Sequence, residues 1–449
     1  MGALLMMVFR GLVDPRAGAS DADYPTPAAV RRGGSWAAHL IGLIAVVGLW
    51  GCPQPTSNAR PAEANPSNRP ATVLQTTNRT PEPLDPFFFE ESWQQYRQRF
   101  IQADGRVIDW ETDDQRTTSE GQAYAMLRAV MIDDPATFEQ VLRWGENNLS
   151  RLDRDGQPLD RLWAWKWGPS EDEQWGITDP NFASDADIDV ATALILAARR
   201  WNRADYLDLA QLKLTDIWTY STLTTGQPHG GRYLLPGPLA AFSPTADTVY
   251  LNPSYLAPYA FRLFAQVDRD RDWLSLVDSS YDVLTASAAL SAQSLPSNWV
   301  VFEVTTGDYR PVPDDAPLQS IYGFDAYRVW WRVGLDAAWF DAPEARQYLQ
   351  QHLPALVERW QQQRSIPAEI GLRGETLTEF ESTAQYAMLY GALLQVQPEA
   401  AQTLRDQKLL PAYRDGFWDS SSAYYTQNLA WLGLFPPEWV SADWLKPSS

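Results

Sequence analysis

From about residue 86 to residue 445, apolar residues recur at helical spacing in one segment after another, and strand-like alternation is sparse. This contrast constrains the fold class, because a period near 3.6 builds an amphipathic helix and a period of two builds a strand. Tyr124 to Met131 continue a helix that begins near Ser119, and Val190, Ala193, Leu194 and Ala197 share a face after Ser184. Leu256–Phe264, Val329–Phe340, Ala345–Trp360 and Ala384–Val396 read as further helices, whereas the run Trp299 to Val304 is a short strand candidate. Pro, Gly, Asp and Ser clusters separate them. Helices recurring in pairs over one large domain point to an all-α toroid, and the length leaves room for six hairpins of roughly sixty residues each. No clean internal repeat is visible, so the hairpin number does not come from periodicity.

The first 85 residues have a different character. Arg31 and Arg32 precede an apolar run from Trp36 to Gly51, interrupted by His39, which has the layout of a basic segment followed by a hydrophobic one. The run is short for a membrane span, which needs about 20 apolar residues. It ends Leu49-Trp50-Gly51-Cys52, which resembles a bacterial lipoprotein box with Trp50 where a small residue is usual. The expectation is therefore a signal peptide or membrane anchor over 1–52, lipidated at Cys52. A Pro/Asn/Thr-rich tether over 53–85 follows, and then a folded domain over 86–449, held outside the cytoplasmic membrane. Cys52 is the chain's one cysteine, so no intrachain disulfide can form.

Composition removes several functions. A net charge of −20 opposes binding to nucleic acid, whose phosphates need a basic face. His39, His229 and His352 have no metal-ligand spacing. Glycine-rich nucleotide-binding motifs and the Gly-x-Ser-x-Gly elbow are missing. No metal or organic cofactor is implied.

Three acidic landmarks carry the chemistry: Glu120 in Thr117-Thr118-Ser119-Glu120-Gly121-Gln122, the triplet Asp185, Asp187 and Asp189, and Asp325 in Gly323-Phe324-Asp325-Ala326-Tyr327-Arg328. Two carboxyl groups on opposite sides of a bond, in an aromatic groove, are what cleavage of a sugar polymer requires. Each landmark also has a plain structural explanation. Glu120 favours a helix start, the aspartate triplet is a charged helix start, and Asp325–Arg328 is a helix-start ion pair. The triplet is not an EF-hand loop, since Val190 and Leu196 stand where glycine and glutamate are needed.

Six segments occur in the order seen in glycoside hydrolase family 8, which this chain resembles over roughly 90–440. They are Asp104-Gly105-Arg106-Val107-Ile108-Asp109, Thr118 to Gln122, Leu162-Trp163-Ala164-Trp165-Lys166-Trp167, Ala183 to Asp189, Asn252-Pro253-Ser254-Tyr255 and Phe324 to Arg328. That family contains bacterial cellulases, including those encoded with cellulose synthase. The resemblance implies an (α/α)6 barrel and an inverting endo-β-1,4-glucanase. Glu120 would be the general acid, Asp325 the general base, and Asp185 a substrate-binding carboxylate that favours a distorted ring. Acid and base would then lie about 6.5–9.5 Å apart. Glu120 in a first helical turn needs a nearby negative charge to keep its proton, and the Asp185–Asp189 group is the expected source. Arg328 would hold Asp325 ionised. Departures from the family pattern are Ala123 and Ala125 in place of glycines, Val190, and Asn298 in place of an aspartate before Trp299.

Flat side chains pack against the C–H faces of sugar rings while polar groups fix the hydroxyls. Of 21 tryptophans, Trp36 and Trp50 precede Cys52, and most of the remainder should be core. The expected substrate contacts are Trp163 first, then Tyr255, Trp299, Arg328 and Tyr322, with Tyr386 and Tyr425 at the far rim. The expected partners are a β-glucan polymer and the cellulose synthase machinery. Xylan, mixed-linkage β-glucan, or non-catalytic glycan binding on the same fold are the alternatives.

Overall fold

The computed structural model describes residues 84–226 and 230–446. The anchor, Cys52 and the tether up to residue 83 lie outside the described residues. In chain order the helices are α1 (Pro86–Phe100), α2 (Ser119–Ile132), α3 (Pro135–Asn148), α4 (Ser184–Trp201), α5 (Ala204–Tyr220), α6 (Leu239–Phe242), α7 (Pro258–Val267), α8 (Trp273–Ala289), α9 (Tyr327–Phe340), α10 (Pro343–His352), α11 (Pro354–Gln363), α12 (Thr383–Val396), α13 (Pro398–Leu404), α14 (Tyr424–Leu434) and α15 (Ala442–Leu445).

Six of them, α2, α4, α7, α9, α12 and α14, form an inner ring in which each touches the next and α14 returns to α2. Their sequences explain the placement. In α4 every residue from Ser184 to Ala198 is buried, and in α9 every residue from Tyr327 to Ala337. A helix apolar on nearly all sides has to be enclosed by others. The outer partners α3, α5, α8, α10 and α13 each follow an inner helix and pack on it, which makes five hairpins. The sixth inner helix, α14, is covered by α1 from the opposite end of the domain. This is the expected all-α barrel, and the sixth hairpin is joined through space, which is why no repeat period reveals it.

The closing helix starts where Asp85 accepts a hydrogen bond from the Phe87 N–H and Pro86 occupies the first turn. It buries Phe89, Trp93, Tyr96 and Phe100, at about 1.5–3 kcal/mol for a fully buried aromatic side chain. Arg128 of α2 is fully buried in a cage of Trp93, Tyr96 and Trp431, 4.0–5.2 Å from the ring centroids.

The sequence reads Ala345–Trp360 as one helix, but the chain breaks it into α10 and α11 at Leu353–Pro354. Proline has no N–H to continue the ladder and sits at the first turn of the second helix instead. Strands occupy the loops at one end of the helices. A long antiparallel sheet joins β1 (Thr117–Thr118), β2 (Ser150–Leu152), β3 (Pro158–Pro169) and β4 (Trp175–Phe182), with β3 pairing all the others. β5 (Thr222–Thr224) pairs β6 (Arg232–Leu234), and β10 (Tyr413–Arg414) pairs β11 (Phe417–Trp418). β7 (Thr248–Leu251), β8 (Val300–Glu303) and β9 (Tyr309–Arg310) form a three-stranded sheet that includes the strand expected after Trp299.

Candidate active site

β1 runs straight into α2, and the Thr118 hydroxyl caps that helix by accepting the Gly121 N–H at 3.2 Å. Glu120 is thereby set in the first turn. α4 begins without a side-chain cap; the Ser184 hydroxyl instead donates to the Leu235 carbonyl at 2.6 Å and fixes the helix entry. Asp325 lies just before α9, in a loop where the Ala326 N–H donates to Asn298 Oδ1 at 3.0 Å. Asn298, at the position of a family aspartate, thus supports the loop as a hydrogen-bond acceptor.

Three carboxylates from these three places meet one side chain. Arg328 Nη1 donates to Asp185 Oδ2 at 2.9 Å and to Glu120 Oε1, and Nη2 donates to Asp325 Oδ1 at 3.0 Å. Nη2 also reaches Ser254 Oγ at 3.0 Å, and the Ser254 hydroxyl donates to Asn252 Oδ1 at 2.7 Å. The rigid guanidinium fork suits several planar acceptors at once. Sequence spacing showed only its contact with Asp325; the bridges to Glu120 and Asp185 span 208 and 143 residues.

Every oxygen of the triad except one of Glu120 has a defined partner here. The Tyr124 hydroxyl, one turn after Glu120, donates to Glu120 Oε1 at 3.1 Å. Asp185 Oδ1 accepts the Ala186 N–H at 2.9 Å. Trp299 Nε1 donates to Asp325 Oδ2 at 3.2 Å. Burial pushes Asp185 up to about 7, with Arg328 opposing and Glu120 adding to the rise. Burial also raises Asp325, against Arg328 and the Trp299 hydrogen bond. A single cation thus faces three carboxyl groups, of which Asp185 is the buried one.

The remaining aspartates of α4 turn elsewhere. Asp189 forms a buried two-point pair with Arg332 at 2.8 and 2.9 Å. Asp185–Arg328 and Asp189–Arg332 are therefore two rungs, one helical turn apart, between the non-neighbouring inner helices α4 and α9. Asp187 Oδ1 accepts the Trp163 N–H at 3.0 Å and holds β3.

Glu120, Asp185, Asp325 and Arg328 lie in an open pocket lined by Trp165, Tyr255, Phe324, Tyr424 and Tyr425, together with Asp109, Glu111 and Arg116. Of the expected aromatic contacts, Tyr255 and Tyr425 line this pocket and four others do not. Trp163 is a core residue: its ring lies beside Gly145, its Nε1 donates to Glu146 Oε1 at 2.8 Å, and only 1% of it is exposed. Two residues on, Trp165 lines the pocket, because bulges between Ala164 and Trp167 change the aim of successive side chains. Trp299 is buried and reaches the site through Asp325, without facing the groove. Tyr322 is buried, accepting from Trp330 Nε1 at 3.1 Å. Tyr386 is buried, accepting from the Ile366 N–H at 2.8 Å and donating to Glu381. Sequence reasoning ranked Trp163 ahead of Trp165 and missed Tyr124, Tyr424 and Asn252. The Asn252-Pro253-Ser254-Tyr255 segment was the available signal for the third.

The sequence pattern of the glycosyl hydrolases family 8 matches residues 85–436. The chain belongs to this family. An endoglucanase of Pseudomonas fluorescens (strain SBW25) is 35% identical over 245 residues, covering 55% of this chain and 60% of the relative. This chain thus spans about three fifths of that relative's length. An endoglucanase of Salmonella typhi is 29% identical over 348 residues, covering 76% of this chain and 85% of the relative. Among solved structures, the endo-1,4-D-glucanase from Vibrio fischeri ES114 superposes with a TM-score of 0.64 at 26% identity, covering 76% of this chain and 93% of the other. The family-8 chain described here therefore has the (α/α)6 barrel read from its sequence.

Proposed function

We propose that the chain is an inverting, endo-acting hydrolase of β-1,4-glucan. The observation that carries this reading is the convergence of Glu120, Asp185 and Asp325 on Arg328 in an open, aromatic-lined pocket. Its relatives' activity, endoglucanase, supports the choice of polymer. In this mechanism Glu120 delivers its proton to the glycosidic oxygen as the bond to the anomeric carbon breaks. A water attacks that carbon from the opposite face and gives its proton to Asp325, so the product has inverted configuration. Asp185, set beside Glu120 through Arg328 Nη1, accepts sugar hydroxyls and favours the distorted ring of the oxocarbenium-like transition state. A chain bound here displaces Glu120 from Arg328, since the acid has to face the glycosidic oxygen.

The apolar run Trp36–Gly51 followed by the chain's one cysteine supports a lipid anchor at Cys52, outside the cytoplasmic membrane. The Pro-rich segment after it supports an extended tether; a place beside a cellulose-exporting machine rests on the family resemblance alone.

The test is release of reducing ends from carboxymethyl cellulose, barley β-glucan, xylan and chitosan by the purified 86–449 fragment. Glu120→Gln and Asp325→Asn are assayed beside it. Glucan cleavage abolished in both variants is the expected result. Folded protein with no activity on any polymer, yet retained on glucan, would instead make it a binding protein.

A further inference from the structure

Among the described tryptophans only Trp175 is exposed, to 50%. It opens β4 at the tip of the β3–β4 hairpin, opposite Pro169, and it does not line the carboxylate pocket. Its ring is nevertheless fixed. Arg106 lies 4.5 Å from its centroid and 4.7 Å from that of Trp167, and the two indoles are 5.1 Å apart. Trp167 rests in turn edge-on against Trp144 of α3, at 5.3 Å. Arg106 is itself tied down, its Nε donating to Thr117 Oγ1 at 2.9 Å. An exposed indole would ordinarily be a loose, costly side chain; here a buried cation and a second indole hold it ready.

The surroundings select a ligand. Ile177, two residues along the same strand face, is 37% exposed and extends the flat apolar surface. The hairpin turn beside it presents Asp172, Glu173 and Gln174, all exposed. A ring face flanked by hydroxyl acceptors suits a neutral, polyhydroxylated chain and repels a polyanion. The platform also adjoins the cleft through its own strand. β3 carries Trp165 into the pocket and Trp167 under Trp175, and Thr117, paired with Trp167, precedes Glu120 by three residues.

We infer that Trp175 and Ile177 form a second, non-catalytic binding platform for a β-glucan chain, outside the cleft and on the hairpin that borders it. The choice of ligand rests on the glucan reading above. Such a platform holds a polymer near the cleft and has no effect on a chain too short to reach both.

The experiment is affinity electrophoresis of the full chain carrying Glu120→Gln, which suppresses hydrolysis, in gels containing hydroxyethyl cellulose or barley β-glucan. Trp175→Ala and Trp175→Phe are compared on that background. Apparent affinity should fall about three- to tenfold in Trp175→Ala and be largely kept in Trp175→Phe, which retains a flat ring. In the hydrolysing parent, kcat/KM for cellotetraose should change by less than about twofold on Trp175→Ala. Unchanged retardation of Trp175→Ala would overturn the platform, and an equal loss on cellotetraose would make Trp175 a part of the cleft. Because retardation is read without turnover, a chain that binds through Trp175 but cuts nothing would sink the hydrolase and spare the platform.

Discussion

The indole of Trp299 donates to Asp325 Oδ2 at 3.2 Å while Arg328 holds Oδ1 at 3.0 Å, so both oxygens of the proposed base are bound. The Trp299 ring stacks on Phe242, with centroids 5.7 Å apart and planes 7° apart, so phenylalanine at 299 keeps a flat ring in that stack while it removes the donor and leaves a small cavity. A hydrogen bond to a charged group is worth about 1.5–3 kcal/mol. Trp299→Phe should lower kcat roughly tenfold to a hundredfold with little change in KM. The lost bond favoured the ionised form, so Asp325 rises further. The acid limb of the kcat/KM profile then moves to higher pH by on the order of one unit. A profile that stays in place would remove Trp299 from the support of the base.

Arg328→Lys tests the fork. Lysine keeps one positive charge but cannot meet Glu120, Asp185, Asp325 and Ser254 together. The substitution should cut kcat/KM by about a hundredfold or more, and cost roughly 1–3 kcal/mol of stability, less than the loss of a whole buried partner. Thermal unfolding and kinetics on one soluble glucan measure both. Near-normal turnover would mean that the carboxylates need only a point charge.

What could be read in the sequence follows from range. α2, α4, α9 and α12 are buried on almost every face; their apolar runs located α2, α9 and α12 within a residue or two, and Ser184 marked the start of α4. α1 is amphipathic and pairs with α14 from the other end of the chain, so neither periodicity nor adjacency marks the pairing. At the site, motif residues Glu120, Asp185, Asp325, Arg328 and Tyr255 do come to one pocket. The tryptophans were harder, since Trp163 and Trp165 share a strand, and only its bulges and the position of Glu146 decide which one enters the core. Composition could not separate them, and neither could simple alternation, which puts both on the same face.

Gly121 is set by a close approach. A Cβ there would lie 1.6 Å from the Tyr424 hydroxyl and 2.8 Å from its ring carbon, in a buried spot beside Glu120. Gly121→Ala should therefore displace Tyr424, costing about 1–3 kcal/mol and at least tenfold in kcat. Combining it with Tyr424→Phe removes the closest clash, so the double variant should recover part of the lost stability, a coupling read by a thermal double-mutant cycle. Strict additivity would show that the clash is relieved elsewhere.

Asp187 gives the fold a pH dependence of its own. Burial, opposed by Lys213 and by the Trp163 N–H, pushes its carboxyl up to about 8. Oδ1 accepts that N–H at 3.0 Å, while Oδ2 is buried without a protein partner. An unfolded aspartate titrates near 3.9, so between about pH 4 and pH 8 the native state binds the proton that the unfolded state has lost. Stability from this group is therefore present below about pH 4 and is lost as pH rises through about 8. Asn at 187 keeps an acceptor for Trp163 and never ionises. Asp187→Asn should match the parent near pH 4.5 and exceed it by on the order of 1 kcal/mol or more at pH 9, raising Tm there by one to a few degrees. Thermal unfolding of the two proteins across that range measures the difference. A gap that does not widen with pH would mean that Asp187 is ionised in the native protein, with Lys213 as its effective counter-charge.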